Sequence, residues 1–235
     1  MAFPTVSDKG TTYNTGGTNT DPFVIDLPDN IASGDLLMAF LAADGNATFT
    51  WPSGASAWTR IVDVDTPSSA HGEVAYRIAD ATEGPTISVD PGATAEQGTC
   101  FTWRIAAAAW HGSTPPEATT ATGTSASADP PALTPSWGSA DTLWIAFIAE
   151  NGGPLPVVTY PSGYVDNNEA DESGGGGSAG GAIASKGATT NSDNPGTFDQ
   201  FNAAWAAVTV AVRPAAAGPG GDTRIIGMEA MGIMR

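Results

Sequence analysis

Cys100 is the only cysteine in 235 residues, so no intrachain disulfide can form and packing must hold the fold. Histidine is almost as scarce, with only His71 and His111. Basic residues number 8 against 25 acids, a formal charge of −17. Those eight (Lys9, Arg60, Arg77, Arg104, Lys186, Arg213, Arg224 and Arg235) are scattered along the chain. No basic groove for duplex or single-stranded nucleic acid can be assembled from them, and an anionic membrane surface is disfavoured for the same reason. No apolar run approaches the ~20 residues of a membrane span. The opening MAFPTVSDKG has neither a basic nor an apolar leader region, so no signal peptide is read there. There is no G-x-S-x-G elbow, no H-E-x-x-H pair and no Gly-rich loop between a strand and a helix. These absences point away from an enzyme, a bound cofactor or a resident metal.

What is present is strand signal. TCFTWRI (99–105) alternates Phe101, Trp103 and Ile105 against Thr102 and Arg104. EVAYRI groups Val74, Tyr76 and Ile78, and TISV groups Ile87 and Val89. DLLMAFLA and TLWIAFIA are apolar at every position, as strands packed on both faces are. A buried helix is the competing reading, disfavoured by the Gly and Asp that bound both runs at strand length. Turn chemistry fills the gaps: NTGGTNTDP, DPG, NPG and the near-duplicates TWPSG (50–54) and TYPSG (159–163).

The duplicated turn extends into duplicated surroundings. Residues 32–46 align with 138–152, 72–77 with 181–186, and 99–104 with 208–213. The chain therefore reads as all-β, a β-sandwich or jelly-roll-like fold over 1–213, built from two pseudo-repeats of about 95 residues. The halves are 16–107 and 124–213, joined by a crossover, 108–123, in a polar Pro/Thr-rich stretch with room for one edge strand. The crossover is long enough to span a sheet, which favours one merged sandwich over two in tandem. Residues 214–222 read as a Gly/Pro linker, and 223–235 as an apolar docking tail presenting Ile225, Ile226, Met228, Met231, Ile233 and Met234 to a partner subunit. The alternative is that this tail folds back onto its own domain.

Candidate functional residues are few. In the repeated turn, Pro52 and Pro161 fix φ and Gly54 and Gly163 permit positive φ. Trp51 and Tyr160 then either cover the end of the core or form a glycan-stacking platform. DNNEADE (166–172) offers Asp166, Asn168, Asp171 and Glu172 as oxygen ligands for calcium, without EF-hand spacing; a solvated charge run is the alternative. Asp35 and Asp141 stand at matching strand starts and are read as turn caps. Cys100 is read as a packed residue, and His71 and His111 as exposed bystanders.

The phrases SGDLLMAFLAADGNATFTWPSG, GEVAYRIADATEG, SADTLWIAFIAENG, YPSGY and AAVTVAVRP resemble a domain of tailed-bacteriophage and prophage virion proteins over roughly 20–214. The resemblance implies a non-enzymatic structural protein on the virion surface, made in the host cytoplasm: a head-decoration, fibre or tail-associated protein that stabilises the particle, adheres to host-surface glycan, or both. Its expected partners are copies of itself or other virion proteins through the tail, and a host-surface glycan. The reading from another class is a carbohydrate-binding module of a bacterial surface or secreted protein. A glycan-cleaving enzyme ranks behind both.

Overall fold

The computed structural model describes residues 2–45, 47–66, 70–92, 94–151, 157, 159–171 and 178–216, with only the backbone of Asp171 and Phe201. The tail residues Ile225, Ile226, Met228, Met231, Ile233 and Met234 lie outside them.

Thirteen strands follow one another: β1 (Val6–Lys9), β2 (Tyr13–Asn14), β3 (Phe23–Asp26), β4 (Leu36–Asp44), β5 (Thr59–Asp65), β6 (Ala70–Ile78), β7 (Thr86–Val89), β8 (Gly98–Ile105), β9 (Glu117–Ala128), β10 (Ala140–Asn151), β11 (Val165–Asp171), β12 (Ala179–Thr190) and β13 (Phe198–Val212). Among the described residues the only helical element is a single 3₁₀ turn, Gly54–Ser56. One sheet runs β1-β8-β4-β6-β5, with β2 also paired to β8; a second runs β11-β12-β10-β13-β9; β3 and β7 form a short pair of their own. Every ladder is antiparallel. The all-β sandwich expected from the sequence is the fold observed.

The two large sheets pack face to face. Leu36, Met38 and Phe40 of β4, with Phe101, Trp103 and Ile105 of β8, meet Leu143, Ile145 and Phe147 of β10 and Val208, Val210 and Val212 of β13 in one core. At its centre the Phe40 and Phe147 rings stand 5.7 Å apart. The alternate residues of β4, Leu37, Ala39 and Leu41, point the other way, into a second core closed by Phe23, Ile25, Ile87 and Val89 of β3 and β7. Trp144, Ala146 and Ile148 of β10 do the same on the far side, beneath Leu133, Tyr164 and Phe198. Both central strands are thus buried on both faces, which is why neither shows alternation.

Residue-level alignment of the halves needs correction. Phe40 pairs with Val74 and Phe101, and Phe147 pairs with Ile183 and Val208. The ladders therefore set Phe147, Ile183 and Val208 against Phe40, Val74 and Phe101. The phrase alignment agrees at Ile183 but sets Phe40 against Ala146, which faces the outer core. Thr142 is where the phrase alignment and the ladders part by one residue, and a one-residue slip exchanges faces. The phrase alignment also sets Phe101 against Val210, a slip that keeps the face and is invisible to alternation.

Two expected boundaries also move. The edge strand β9 runs across the point where the crossover was to give way to the second half. Pro214, expected in the linker, is still bridged to Trp110, and the Ala215 amide donates to the Ala109 carbonyl at 3.1 Å. The sandwich therefore extends at least to Ala215.

Candidate functional site

The outer face of β6 carries the densest chemistry. Alternation sends Gly72, Val74 and Tyr76 toward the central core and His71, Glu73, Ala75 and Arg77 outward, where loops cover them. His71 and Glu73 are completely buried and Arg77 nearly so. Buried polar groups demand partners, and these have them. Glu73 Oε2 accepts from Trp51 Nε1 at 2.5 Å, and its Oε1 accepts from Arg60 Nη1 at 2.9 Å. His71 Nε2 lies 3.2 Å from the same Oε1, and His71 Nδ1 lies 2.5 Å from Asp65 Oδ1. Asp63 Oδ2 is 3.0 Å from Arg60 Nη1. The Phe49 ring covers the imidazole, with centroids 5.2 Å apart.

The hairpin register creates this cluster: β5 and β6 pair Asp65 with His71 and Asp63 with Glu73. The ligand atoms of Asp63, Asp65 and His71 all lie within 4.8 Å of one another. Burial by itself would lower the His71 pKa; hydrogen bonds to Glu73 and Asp65, and the charge of both carboxylates, outweigh it and raise the pKa above the ordinary imidazole value. Reading His71 as an exposed bystander is therefore wrong. The signal was available: DVD and HGE place acids and an imidazole two residues apart, the spacing that puts them on one face of a strand.

Beside the cluster, Arg77 ties down the following loop. Its Nε donates to Glu83 Oε1 at 2.8 Å, Nη1 to the Ala55 carbonyl at 3.0 Å, and Nη2 lies 3.1 Å from Asp80 Oδ2. Glu83 Oε2 is buried with no hydrogen-bond partner among the described residues. The Glu83 residue borders a half-open pocket of about 310 Å³ walled by Leu27, Trp58, Arg77, Ile87 and Ser88.

The described residues among those singled out in the sequence are not drawn into one site. Trp51, offered as a stacking platform, is 8 % exposed; it packs on Trp58 and donates to Glu73. That buried carboxylate turns the indole inward, so the platform reading is corrected. Tyr160 is half-buried, packs edge-on against Phe198 and donates to Glu169 at 3.1 Å. Gly54 and Gly163 adopt φ of 71° and 79°, the conformation the turn requires. Of the calcium candidates, Asp166 and Asn168 turn to other partners. Asp166 contacts Lys9 and accepts from Ser185, and the Asn168 amide donates to Thr12. The side chain of Asp171 and all of Glu172 lie outside the described residues.

The two matched aspartates also differ. Asp35 is buried, caps a turn through the Ala32 amide, and is held by the Ala107 amide and Arg104. Asp141 accepts from Thr189 across the β10–β12 ladder at 2.6 Å. Cys100 is fully buried in the outer core, and burial pushes its thiol far above the range where thiolate forms. His111 is half-buried, with Nδ1 2.7 Å from Thr114 Oγ1. Comparison of the chain with protein-family models, with curated proteins and with solved structures gives no match.

Proposed function

We propose that the chain is a non-enzymatic structural protein of a tailed-phage virion surface, a head-decoration, fibre or tail-associated component. In this reading its sandwich contacts host-surface glycan and its C-terminal segment joins it to the particle. The observation that carries the binding part is the Glu83 pocket. Carbohydrate sites combine an apolar wall with a few fixed polar groups in a preformed cleft. Leu27, Trp58 and Ile87 supply the wall, and Ser88 with the paired Arg77 and Glu83 supply the fixed polar groups. The same pocket supports the second reading, a carbohydrate-binding module of a bacterial surface or secreted protein.

Support for a non-catalytic role comes from the way reactive groups are engaged. Asp35, Glu73, His71 and Arg77 are committed to internal partners, and Cys100 is held as a buried thiol. The shared strand order of the two large sheets supports reading the halves as copies of one unit.

Two measurements test the proposal. On a glycan array, the purified protein binds a restricted set of host-surface glycans with weak affinity. Ser88→Trp, an exposed change at the pocket rim, lowers that binding at least tenfold without changing the melting temperature. Unchanged binding moves the glycan contact elsewhere. The tail is tested in particles: deleting 223–235 leaves the melting temperature within a few degrees and abolishes virion incorporation. Normal incorporation, or a large fall in melting temperature, removes the docking role. The motive is that burying one Ile or Met side chain stabilises by about 1.5–3 kcal/mol, and six such residues cluster behind a Gly/Pro segment.

A further inference from the structure

We propose that Asp63, Asp65 and His71 bind a divalent transition-metal ion of the zinc class, with Glu73 as the carboxylate that orients His71. The site is independent of the glycan reading and lies on the β5–β6 hairpin, whose strand β5 is an edge of its sheet.

The orientation of the imidazole carries the inference. Glu73 is completely buried and fixed by Trp51 and Arg60, so its Oε1 faces His71 Nε2 as an acceptor. Both ring nitrogens thus face carboxylates, and an ion that takes the place of the proton between Nδ1 and Asp65 leaves the Nε2 hydrogen donating to Glu73. Nδ1 points at Asp65 Oδ1, with an Asp63 oxygen nearby. A metal-bound histidine characteristically donates its other ring N–H to a carboxylate, which fixes the tautomer and makes the ligating nitrogen more basic. Here that backing group lies on the strand of the ligand itself, two residues on, and is completely buried.

Two further facts fit a cation. Asp63, Asp65 and Glu73 surround the Arg60 guanidinium, so the three carboxylates outnumber that cation by two, and a divalent ion taking the place of the Nδ1 proton balances them. The two aspartate side chains are about two-fifths exposed, so they can rotate to admit an ion and leave further positions open to water. Opening is required. A nitrogen and an oxygen 2.5 Å apart share a proton, whereas ligands at about 2.0–2.2 Å from one tetrahedral ion stand farther apart. Asp65, on the edge strand, is the group that gives way. One imidazole with two carboxylates selects zinc, manganese or nickel over calcium, which takes six to eight oxygens.

The experiment uses the full-length chain stripped with chelator, then titrated with zinc chloride at neutral pH by calorimetry and by intrinsic fluorescence. Trp51, bonded to Glu73, supplies the optical reporter. The expected result is one saturable zinc per chain, a rise in melting temperature with zinc, and no response to calcium at equal concentration. Asp65→Asn and Asp63→Asn each weaken zinc binding at least tenfold, and His71→Gln weakens it at least a hundredfold. His111→Gln and Asp166→Asn leave it unchanged. Should His71→Gln fail to fold, the two exposed aspartate variants still decide the matter. Absence of saturable zinc binding, or zinc binding unaffected by both aspartate variants, overturns the site.

Discussion

Glu73→Ala lowers stability by about 3–5 kcal/mol, the cost of leaving buried polar partners uncompensated. The melting temperature falls by on the order of 10 °C for a domain of this size. The Trp51 indole N–H loses its acceptor, and the Arg60 guanidinium and the His71 imidazole each lose one of two carboxylate partners. Trp51 and His71 sit where water does not reach, so solvent cannot take over the lost bonds. Glu73→Gln keeps the shape and one acceptor oxygen but removes the charge that Arg60 and His71 face, and it falls between wild type and Ala. Thermal and denaturant unfolding, followed by fluorescence and circular dichroism, measure both variants. A loss below about 1 kcal/mol for Glu73→Ala would mean that water enters the cluster and that the network contributes little.

Phe147→Ala is expected to cost about 3–5 kcal/mol, as large-to-small changes in a close-packed aromatic core do. Its ring fills the centre of the sandwich, 5.7 Å from Phe40 and 6.4 Å from Phe101 on the opposing sheet. Because that core draws on both halves, neither sheet has an inner face of its own to survive on. Wild type and variant should each unfold in one transition, coincident by fluorescence and far-ultraviolet circular dichroism. The double variant Phe40→Ala/Phe147→Ala should lose less than the sum of the single losses, since the two rings share one contact. Two separate transitions in the wild type would show that the halves are independent domains, against the merged core described above.

How much of this was legible in the sequence depends on how far apart the deciding residues lie. Two-sided burial of β4 and β10 was readable, because a strand apolar at every position has no polar face to turn to solvent. The inward parity of Phe101 and Trp103 was readable from alternation. The rungs were not: alternation repeats every two residues, so Val208 and Val210 fit Phe101 equally well, and only the ladder chooses. Thr142 shows the opposite failure, one residue reversing every face in an alignment that still looks good as text. At the site, DVD and HGE already carried the spacing for one strand face. What sequence could not supply was the hairpin register that sets Asp65 against His71, or the Phe49 ring that closes over the imidazole from a distant segment. The fate of Trp51 was set in the same non-local way, by a carboxylate on another strand.

The stacking order of the two sheets has a consequence for how this chain can change. Lys9 of β1 reaches Asp166 of β11 at one side of the sandwich, and β5 lies along β9 at the other. Each sheet thus lays its first edge strand against the last edge strand of the other, the relation found across the dyad of an isologous dimer. A true dimer built this way would come apart on dilution, and its stability would depend on its concentration. Joined in one polypeptide, the pair stays together at any concentration, and its two sides no longer have to be identical. On the rungs where β4 meets His71 and Glu73, β10 meets only Gly180 and Ala182. The acidic imidazole cluster is an asymmetry that a symmetric assembly of identical halves would have had to carry twice.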